Sequence, residues 1–146
     1  MILKKVFTTC LFVLMFSTAS AQTHKFISSG FTVKERNSRG QWGPWSEFQK
    51  SDVVISLDTE KDRIIIYSQE LQHYKIVSYH EKTENESDII YGFSCTDDNG
   101  VPFVISIITR KTQGNRRQMY INHKNVIVAY NISSYDEKKG ARKERK

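Results

Sequence analysis

Residues 88–111 read DIIYGFSCTDDNGVPFVISIITRK and contain the clearest folding signal in the chain. Asn99 and Gly100 accommodate the positive φ angles of a type I′ turn, whose twist matches that of two antiparallel strands. On both sides of this turn, apolar and polar residues alternate as they do in a strand with one buried face. The segment therefore predicts a β-hairpin, with one strand over residues 88–96 and the next over residues 101–111.

The same alternation continues on both sides of this hairpin, and helical periodicity is almost absent. Further strands are predicted over residues 26–36, 52–58, 62–68, 71–82, 116–122 and 125–132. About eight strands at such short spacing indicate an all-β, single-domain antiparallel meander that forms a small barrel or a sandwich. Some strands are apolar on both faces, as at residues 64–66. Either both faces of the sheet are covered, or an apolar surface is left for a partner.

The two ends of the chain differ in composition from the part between them. Residues 1–21 contain two lysines, an apolar run and small residues before a predicted cleavage site after Ala21, which is the pattern of a secretory signal peptide. The protein is therefore expected to be exported to the periplasm or the extracellular space, with no membrane span in the mature chain. An all-β domain is predicted over residues 22–135, followed by a disordered basic tail over residues 136–146.

The net charge is basic, with 22 Lys and Arg residues against 16 Asp and Glu residues. Much of the excess lies in the predicted tail, so it does not indicate a nucleic-acid-binding face. Aromatic residues also do not alternate with the basic ones, and we expect no nucleic-acid partner.

Residues suited to catalysis or metal binding are few. Cys95 is the only cysteine after the signal peptide, so no intrachain disulfide is expected. Because Cys95 shares a strand face with Phe93, it is predicted to be a small core residue and not a reactive thiol. His73 and His80 are seven residues apart on one predicted strand, which predicts opposite faces and no shared metal ion. The sequence therefore predicts a protein that is not an enzyme and has no metal or cofactor.

The segment WGPWSEF, residues 42–48, is the most unusual connection between predicted strands. Trp42, Trp45 and Phe48 stand close together in it, and a sugar ring or a peptide readily desolvates a flat aromatic face on a loop. These three residues are predicted to bind a small apolar ligand, a glycan or a peptide. The alternative is that the three aromatic side chains plug one end of the barrel, because large aromatic residues are mostly buried.

Charged residues form two opposed clusters near a predicted turn over residues 112–115. The basic cluster, or basic tip, consists of Arg110, Lys111, Arg116 and Arg117. The acidic loop contains Glu81, Glu84, Glu86 and Asp88. The basic tip is predicted to attract an anionic surface, with strong salt dependence. The alternative is that these charges only keep a solvated loop soluble.

A short motif adds a family resemblance. Gly40-Gln41-Trp42 is similar to the Gly-x-Trp signature of the lipocalins. With its size, predicted export and number of strands, the chain resembles small exported lipocalin-like (calycin-like) β-barrel proteins of bacteria, mostly of uncharacterised function. The sequence departs from the lipocalin pattern, since a predicted strand precedes the signature and Gly43-Pro44 follows it. The resemblance implies an eight-stranded barrel that holds a small apolar ligand, and a shared shape alone does not fix function.

Two function hypotheses follow from the sequence. The first is an exported, non-enzymatic binding module whose loop aromatics contact a small apolar ligand, a glycan or a peptide. The alternative is a protein interaction or inhibitor domain that docks on an envelope or host protein through an exposed sheet edge or a charged surface.

Overall fold

The computed structural model of the protein describes residues 23–135. The predicted signal peptide and the predicted basic tail lie outside these residues. In chain order, the strands of the described part are β1 (Thr23–Glu35), β2 (Gln49–Lys50), β3 (Val54–Asp58), β4 (Arg63–Tyr67), β5 (Gln72–Tyr79), β6 (Thr83–Glu84), β7 (Asp88–Thr96), β8 (Pro102–Arg110), β9 (Arg116–His123) and β10 (Val126–Ser134). One turn of 3-10 helix, Lys111–Gln113, connects β8 to β9. Within residues 23–135, no helix is long and apolar enough to cross a membrane.

Eight of these strands form a closed antiparallel barrel. The order around the barrel is β1, β3, β4, β5, β7, β8, β9 and β10, and the pairing of β10 with β1 completes the ring. The short strand β2 pairs with β1, and the short strand β6 pairs with β7. The prediction of an all-β, single-domain antiparallel meander is confirmed. Of the two alternatives that the sequence left undecided, a barrel or a sandwich, the protein adopts the barrel. This shape is compatible with a lipocalin-like barrel.

The hairpin predicted over residues 88–111 is present, and β7 and β8 pair in continuous register. The predicted type I′ turn is wrong, because Gly100 has a positive φ of 78° while Asn99 does not. The carboxylate of Asp97 accepts hydrogen bonds from the backbone N–H groups of Asn99 (2.9 Å) and Val101 (2.8 Å). These bonds favour a three-residue loop that ends in a left-handed glycine.

Apolar side chains from all eight barrel strands fill the interior. Those that are at most 1% exposed are Ile55, Ile64, Ile66, Ile105 and Met119. An eight-stranded barrel has an interior that side chains of this size just fill. Burying each of them stabilises the fold by roughly 1.5–3 kcal/mol relative to leaving it in water. Ile65 alternates to the outer face and is still only 8% exposed, so the apolar run over residues 64–66 is covered on both faces.

β1 is long enough to hold two partners along one side. Its first half pairs with β3, and its second half is bordered by residues 42–50, which end in β2. The N–H of Gly43 donates to the carbonyl oxygen of Glu35 at 2.8 Å, and the N–H of Ser46 donates to that of Val33 at 2.8 Å. Backbone hydrogen bonds therefore hold the connection between β1 and β3 against the barrel.

Candidate functional site

The connection after β1 begins with a tight turn that Asn37 closes. The side-chain oxygen of Asn37 accepts a hydrogen bond from the N–H of Gln41 at 3.0 Å, and the N–H of Asn37 donates to the carbonyl of Gln41 at 2.9 Å. Gly40 has a φ of 79°, which glycine adopts without steric cost. The chain reverses at this turn and places Trp42 opposite Arg36 in a single β-bridge.

Trp42 and Trp45 lie on the outer surface of the barrel, where they are 41% and 42% exposed. The guanidinium of Arg36 lies 5.2 Å from the ring centroid of Trp42, and Nζ of Lys34 lies 5.4 Å from that of Trp45. Trp45 also packs edge-on against Tyr120 of β9, with 6.2 Å between ring centroids. The two cation–π contacts are worth about 0.5–1 kcal/mol each at exposed sites. The two indoles are therefore oriented without being buried, and they do not plug the barrel.

An open cleft of about 620 Å³ lies beside the two tryptophans. The lining of this Trp42–Trp45 cleft includes Glu35, Arg36, Asn37, Gln41, Trp42 and Trp45. Its polar members come from the end of β1 and from the turn that follows. Small-molecule sites in proteins commonly occupy roughly 300–1,000 Å³, so the cleft is large enough for a ligand.

Phe48, the third aromatic residue predicted to bind a ligand, lies outside this lining. Its side chain is in contact with the backbone at Gly30 of β1, although Phe48 is 49% exposed. A Cβ added at Gly30 would collide with the Phe48 ring and with the carbonyl oxygen of Gln49. The structure therefore brings Trp42 and Trp45 together, and it assigns Phe48 a packing contact.

Each tryptophan also borders a smaller cleft on its other side. Trp42 lines one of about 280 Å³ next to the turn between β9 and β10. Trp45 lines one of about 250 Å³ together with Arg110, Arg116 and Tyr120. This Trp45–Arg116 cleft joins two features that the sequence presented separately, the loop aromatics and the basic tip. The sequence gives no sign that Tyr120 lines this cleft. Tyr120 lies on β9, and β9 comes close to Trp45 only because β10 pairs with β1.

Arg110 makes more side-chain hydrogen bonds than the other residues of the basic tip. Its guanidinium donates to Oδ1 of Asp88 at 3.1 Å, to Oε1 of Gln118 at 3.3 Å and to the hydroxyl of Tyr120 at 3.1 Å. Although partial burial opposes its charge, the hydrogen bonds to Asp88 and Tyr120 raise the pKa of Arg110 above its ordinary value. The charge of Arg110 is therefore partly balanced within the barrel wall.

Lys111 is paired in a similar way. Its Nζ lies 2.7 Å from Oε1 of Glu84 and donates to the carbonyl of Asn85 at 2.8 Å. The hydrogen bond from Lys111 and its charge lower the pKa of Glu84. The acidic loop and the basic tip thus meet, and two of the four basic residues are paired with acidic side chains.

The other two residues of the basic tip, Arg116 and Arg117, are neighbours in β9 and point to opposite faces. Arg117 lies on the side of the buried Met119 and donates to Oγ of Ser134 at 3.3 Å. Arg116 lies on the side of Tyr120 and is exposed. None of the ion pairs among residues 23–135 includes Arg116, so it has no acidic partner in this part of the chain.

Cys95 lies in the core cluster and is 2% exposed. Burial raises the pKa of its thiol to about 11, so the thiol stays protonated at neutral pH. The prediction that Cys95 packs as a small core residue is in agreement with this position.

The predicted opposite orientation of His73 and His80 is wrong. A register shift in the middle of β5 adds one residue, so the alternation of faces changes phase between the two histidines. Both lie on the outer face, where Nδ1 of His73 is 2.8 Å from Oδ1 of Asp98 and Nε2 of His80 is 2.7 Å from Oγ of Ser94. Within the described part of the chain, no group of three His, Cys, Asp or Glu residues is placed to hold a metal ion.

The contact between His80 and Ser94 was not expected from the sequence, and it places a serine beside a base. Nucleophilic catalysis also needs a group that orients the base. In residues 23–135, the contacts of His80 include no carboxylate in that position, so this pair alone does not form a catalytic arrangement.

Comparison of the chain with protein-family models, with curated proteins and with solved structures gave no match. The geometry of the described residues therefore supplies the functional argument. In the clefts beside the two tryptophans, exposed aromatic and polar side chains converge.

Proposed function

We propose that the protein is an exported binding module that holds its ligand, without chemical conversion, in the Trp42–Trp45 cleft. The observation that carries this proposal is the pair of half-exposed indoles, which cation–π contacts and backbone hydrogen bonds hold in place. A site whose aromatic groups are already ordered loses little entropy when a ligand binds. Large aromatic side chains also supply most of the binding energy in many interfaces.

The composition of the lining favours a saccharide among the three ligand classes. Arg36 and Gln41 bring a guanidinium and an amide beside the indoles. A sugar ring offers an apolar C–H face to an indole and hydroxyl groups to such polar side chains. A purely apolar ligand would cover the same polar groups without giving them hydrogen bonds, which costs about 1–3 kcal/mol for each buried group.

The packed interior supports a site on the outer surface. The lipocalin resemblance implies a ligand inside the barrel, but Ile64, Ile105 and Met119 fill that space. The clefts beside the tryptophans lie outside it and need no rearrangement of the core.

Intrinsic fluorescence tests the proposal directly, because both tryptophans of the chain line the cleft. Titration with a set of neutral and acidic oligosaccharides is expected to shift the emission of the protein to shorter wavelength. Trp42→Ala and Trp45→Ala are each expected to weaken binding about tenfold or more, as for an interface residue worth above about 1.4 kcal/mol.

Tyr67→Ala is the matched control, since Tyr67 is an exposed aromatic residue (51%) on β4, away from the cleft. It is expected to leave the affinity unchanged. If no saccharide alters the emission of a correctly folded protein, the proposal is wrong for saccharides. A shift with a peptide or an apolar molecule would then identify one of the other two classes.

The alternative function, a protein interaction or inhibitor domain, has less support from the described residues. Barrel closure gives each of the eight barrel strands a neighbour on both sides, and the sheet order ends at the two-residue strand β2. Part of the charged surface is occupied by the pairs Arg110–Asp88 and Lys111–Glu84. A stable hetero-complex with an envelope or host protein in light scattering would favour this alternative.

A further inference from the structure

The Trp45–Arg116 cleft lies on the outer face of four adjacent strands, β1, β10, β9 and β8. Its floor is Ala129 of β10, which is opposite Thr32 of β1 on one side and opposite Tyr120 of β9 on the other. Ala129 is 5% exposed and has a small side chain, and it lines the cleft together with the packed rings of Trp45 and Tyr120. Because Trp45 borders this cleft and the larger one, a ligand that lies against its ring is adjacent to both.

The cleft carries a positive charge that no acidic side chain of the described residues balances, unlike the neighbouring ion pairs. Arg110 and Arg116 are directly opposite each other in the β8–β9 pair, and both line the cleft. Like charges directly opposite each other across two strands are destabilising. Asp88 compensates Arg110 at 3.1 Å, whereas no acidic side chain among residues 23–135 compensates Arg116.

Hydrogen-bond donors reinforce this positive charge. Gln113 adds a side-chain amide to the lining, whereas the amide nitrogen of Gln118 already donates to Oδ1 of Asn131 at 3.1 Å. A guanidinium presents parallel N–H donors that match the two oxygens of a carboxylate or a sulfate. The cleft therefore combines an aromatic wall with a cation that has room for an anionic group.

We propose that the Trp45–Arg116 cleft is a subsite for the acidic substituent of a saccharide whose ring lies against Trp45. Arg116 pairs with the carboxylate or sulfate group, and Gln113 donates a further hydrogen bond. This inference rests on the proposed function and narrows the ligand from saccharides in general to acidic saccharides.

Calorimetric titration of the full chain tests the subsite with three probes of equal length. They are galactotetraose, tetragalacturonic acid and sulfated galactotetraose. At least one of the two acidic probes is expected to bind about tenfold more tightly than the neutral one at low salt, and the difference is expected to narrow as salt is added. The comparison of the two acidic probes identifies the preferred group.

Arg116→Gln is expected to abolish the preference for the acidic probe and to leave the affinity for galactotetraose unchanged. Arg117→Gln removes the same charge from the adjacent position on the opposite face, so it is expected to keep the preference. Arg116→Lys retains a charge without the guanidinium fork, and an intermediate preference is expected. Near-UV circular dichroism of each variant checks that the barrel is intact.

Three outcomes would overturn the inference in distinguishable ways. Equal affinity for neutral and acidic probes, with loss of both in Trp45→Ala, removes the subsite and leaves the proposed function standing. An equal effect of Arg116→Gln and Arg117→Gln indicates general electrostatic attraction and no subsite. Absence of binding by all three probes overturns the subsite, and the proposed function is contradicted as well only if the wider ligand set also leaves the tryptophan emission unchanged.

Discussion

Two small residues lie beside the large aromatic residues of the outer wall. Gly30 leaves space for the ring of Phe48, and the small side chain of Ala129 lines the cleft beside the packed rings of Trp45 and Tyr120. The sequence shows that Phe48 is near two tryptophans, but it does not show which backbone the ring covers. For this reason the prediction grouped Phe48 with the binding residues, whereas the structure separates it from the cleft.

Gly30→Ala is expected to destabilise the protein by about 1–3 kcal/mol, because the new methyl group meets the Phe48 ring and the backbone carbonyl of Gln49. Urea unfolding followed by circular dichroism measures the loss. Gly43→Ala is the control, since the methyl group added there meets only the backbone oxygen of Glu35, at an ordinary contact distance of 3.4 Å. Equal losses in both variants would show that the Phe48 contact is not the cause.

At the scale of elements, the β7–β8 hairpin was predictable and its details were not. Alternation over residues 88–111 is a local pattern, so the two strands can be assigned from it. The turn type depends on the Asp97 carboxylate, which accepts hydrogen bonds from the backbone N–H groups of Asn99 and Val101. The Asn-Gly pattern alone does not reveal these two bonds. The extra residue in β5 has no local marker at all, and therefore the faces of His73 and His80 were assigned wrongly.

Ion pairs connect two elements that are separate in sequence, the start of β7 and the end of β8. Asp88→Asn is expected to destabilise the protein by roughly 1–2 kcal/mol, because it leaves the half-buried charge of Arg110 without its carboxylate. Chemical unfolding at low and high salt measures the effect. Glu84→Gln removes the more exposed partner of Lys111, and a much smaller loss is expected. A loss for Glu84→Gln as large as that for Asp88→Asn would contradict this order.

At the scale of the whole molecule, closure of the barrel assembles the candidate site. The contact between Trp45 and Tyr120 exists because β10 pairs with β1 on one side and with β9 on the other. No sequence pattern within β1 or β10 predicts that these two strands, at opposite ends of the described chain, pair with each other. Exposed aromatic residues and basic residues were therefore predicted as two sites, and the structure places Arg110 and Arg116 beside Trp45.

The filled interior also predicts a response to alkaline pH. Burial raises the pKa of Cys95 from 9.0 to about 11 and is the main reason that the pKa of Tyr74 rises from 10.0 to about 12. The folded state therefore keeps protons that the unfolded state releases. The free energy of unfolding is expected to be highest below pH 9 and to fall as the pH rises towards 12, with roughly 1–3 kcal/mol of the loss due to Tyr74.

Urea unfolding between pH 8 and pH 11 measures this dependence. Tyr74→Phe is expected to reduce the fall above pH 10, because it removes one of the two groups with a raised pKa in the core. Tyr67→Phe alters an exposed tyrosine, and its free energy of unfolding is expected to fall with pH as in the unchanged protein. A fall of the same size in both variants would assign the alkaline response to other groups.

The packed core and the outer clefts use almost separate sets of residues. The turn after β1 is closed largely by Asn37 and Gly40, and Gln41 and Trp42 line the cleft without belonging to the core cluster. Changes at Gln41 and Trp42 can therefore alter what the surface recognises while the barrel stays folded. The molecule has the properties of a display scaffold, and a library randomised at these positions is expected to yield folded variants with new specificities.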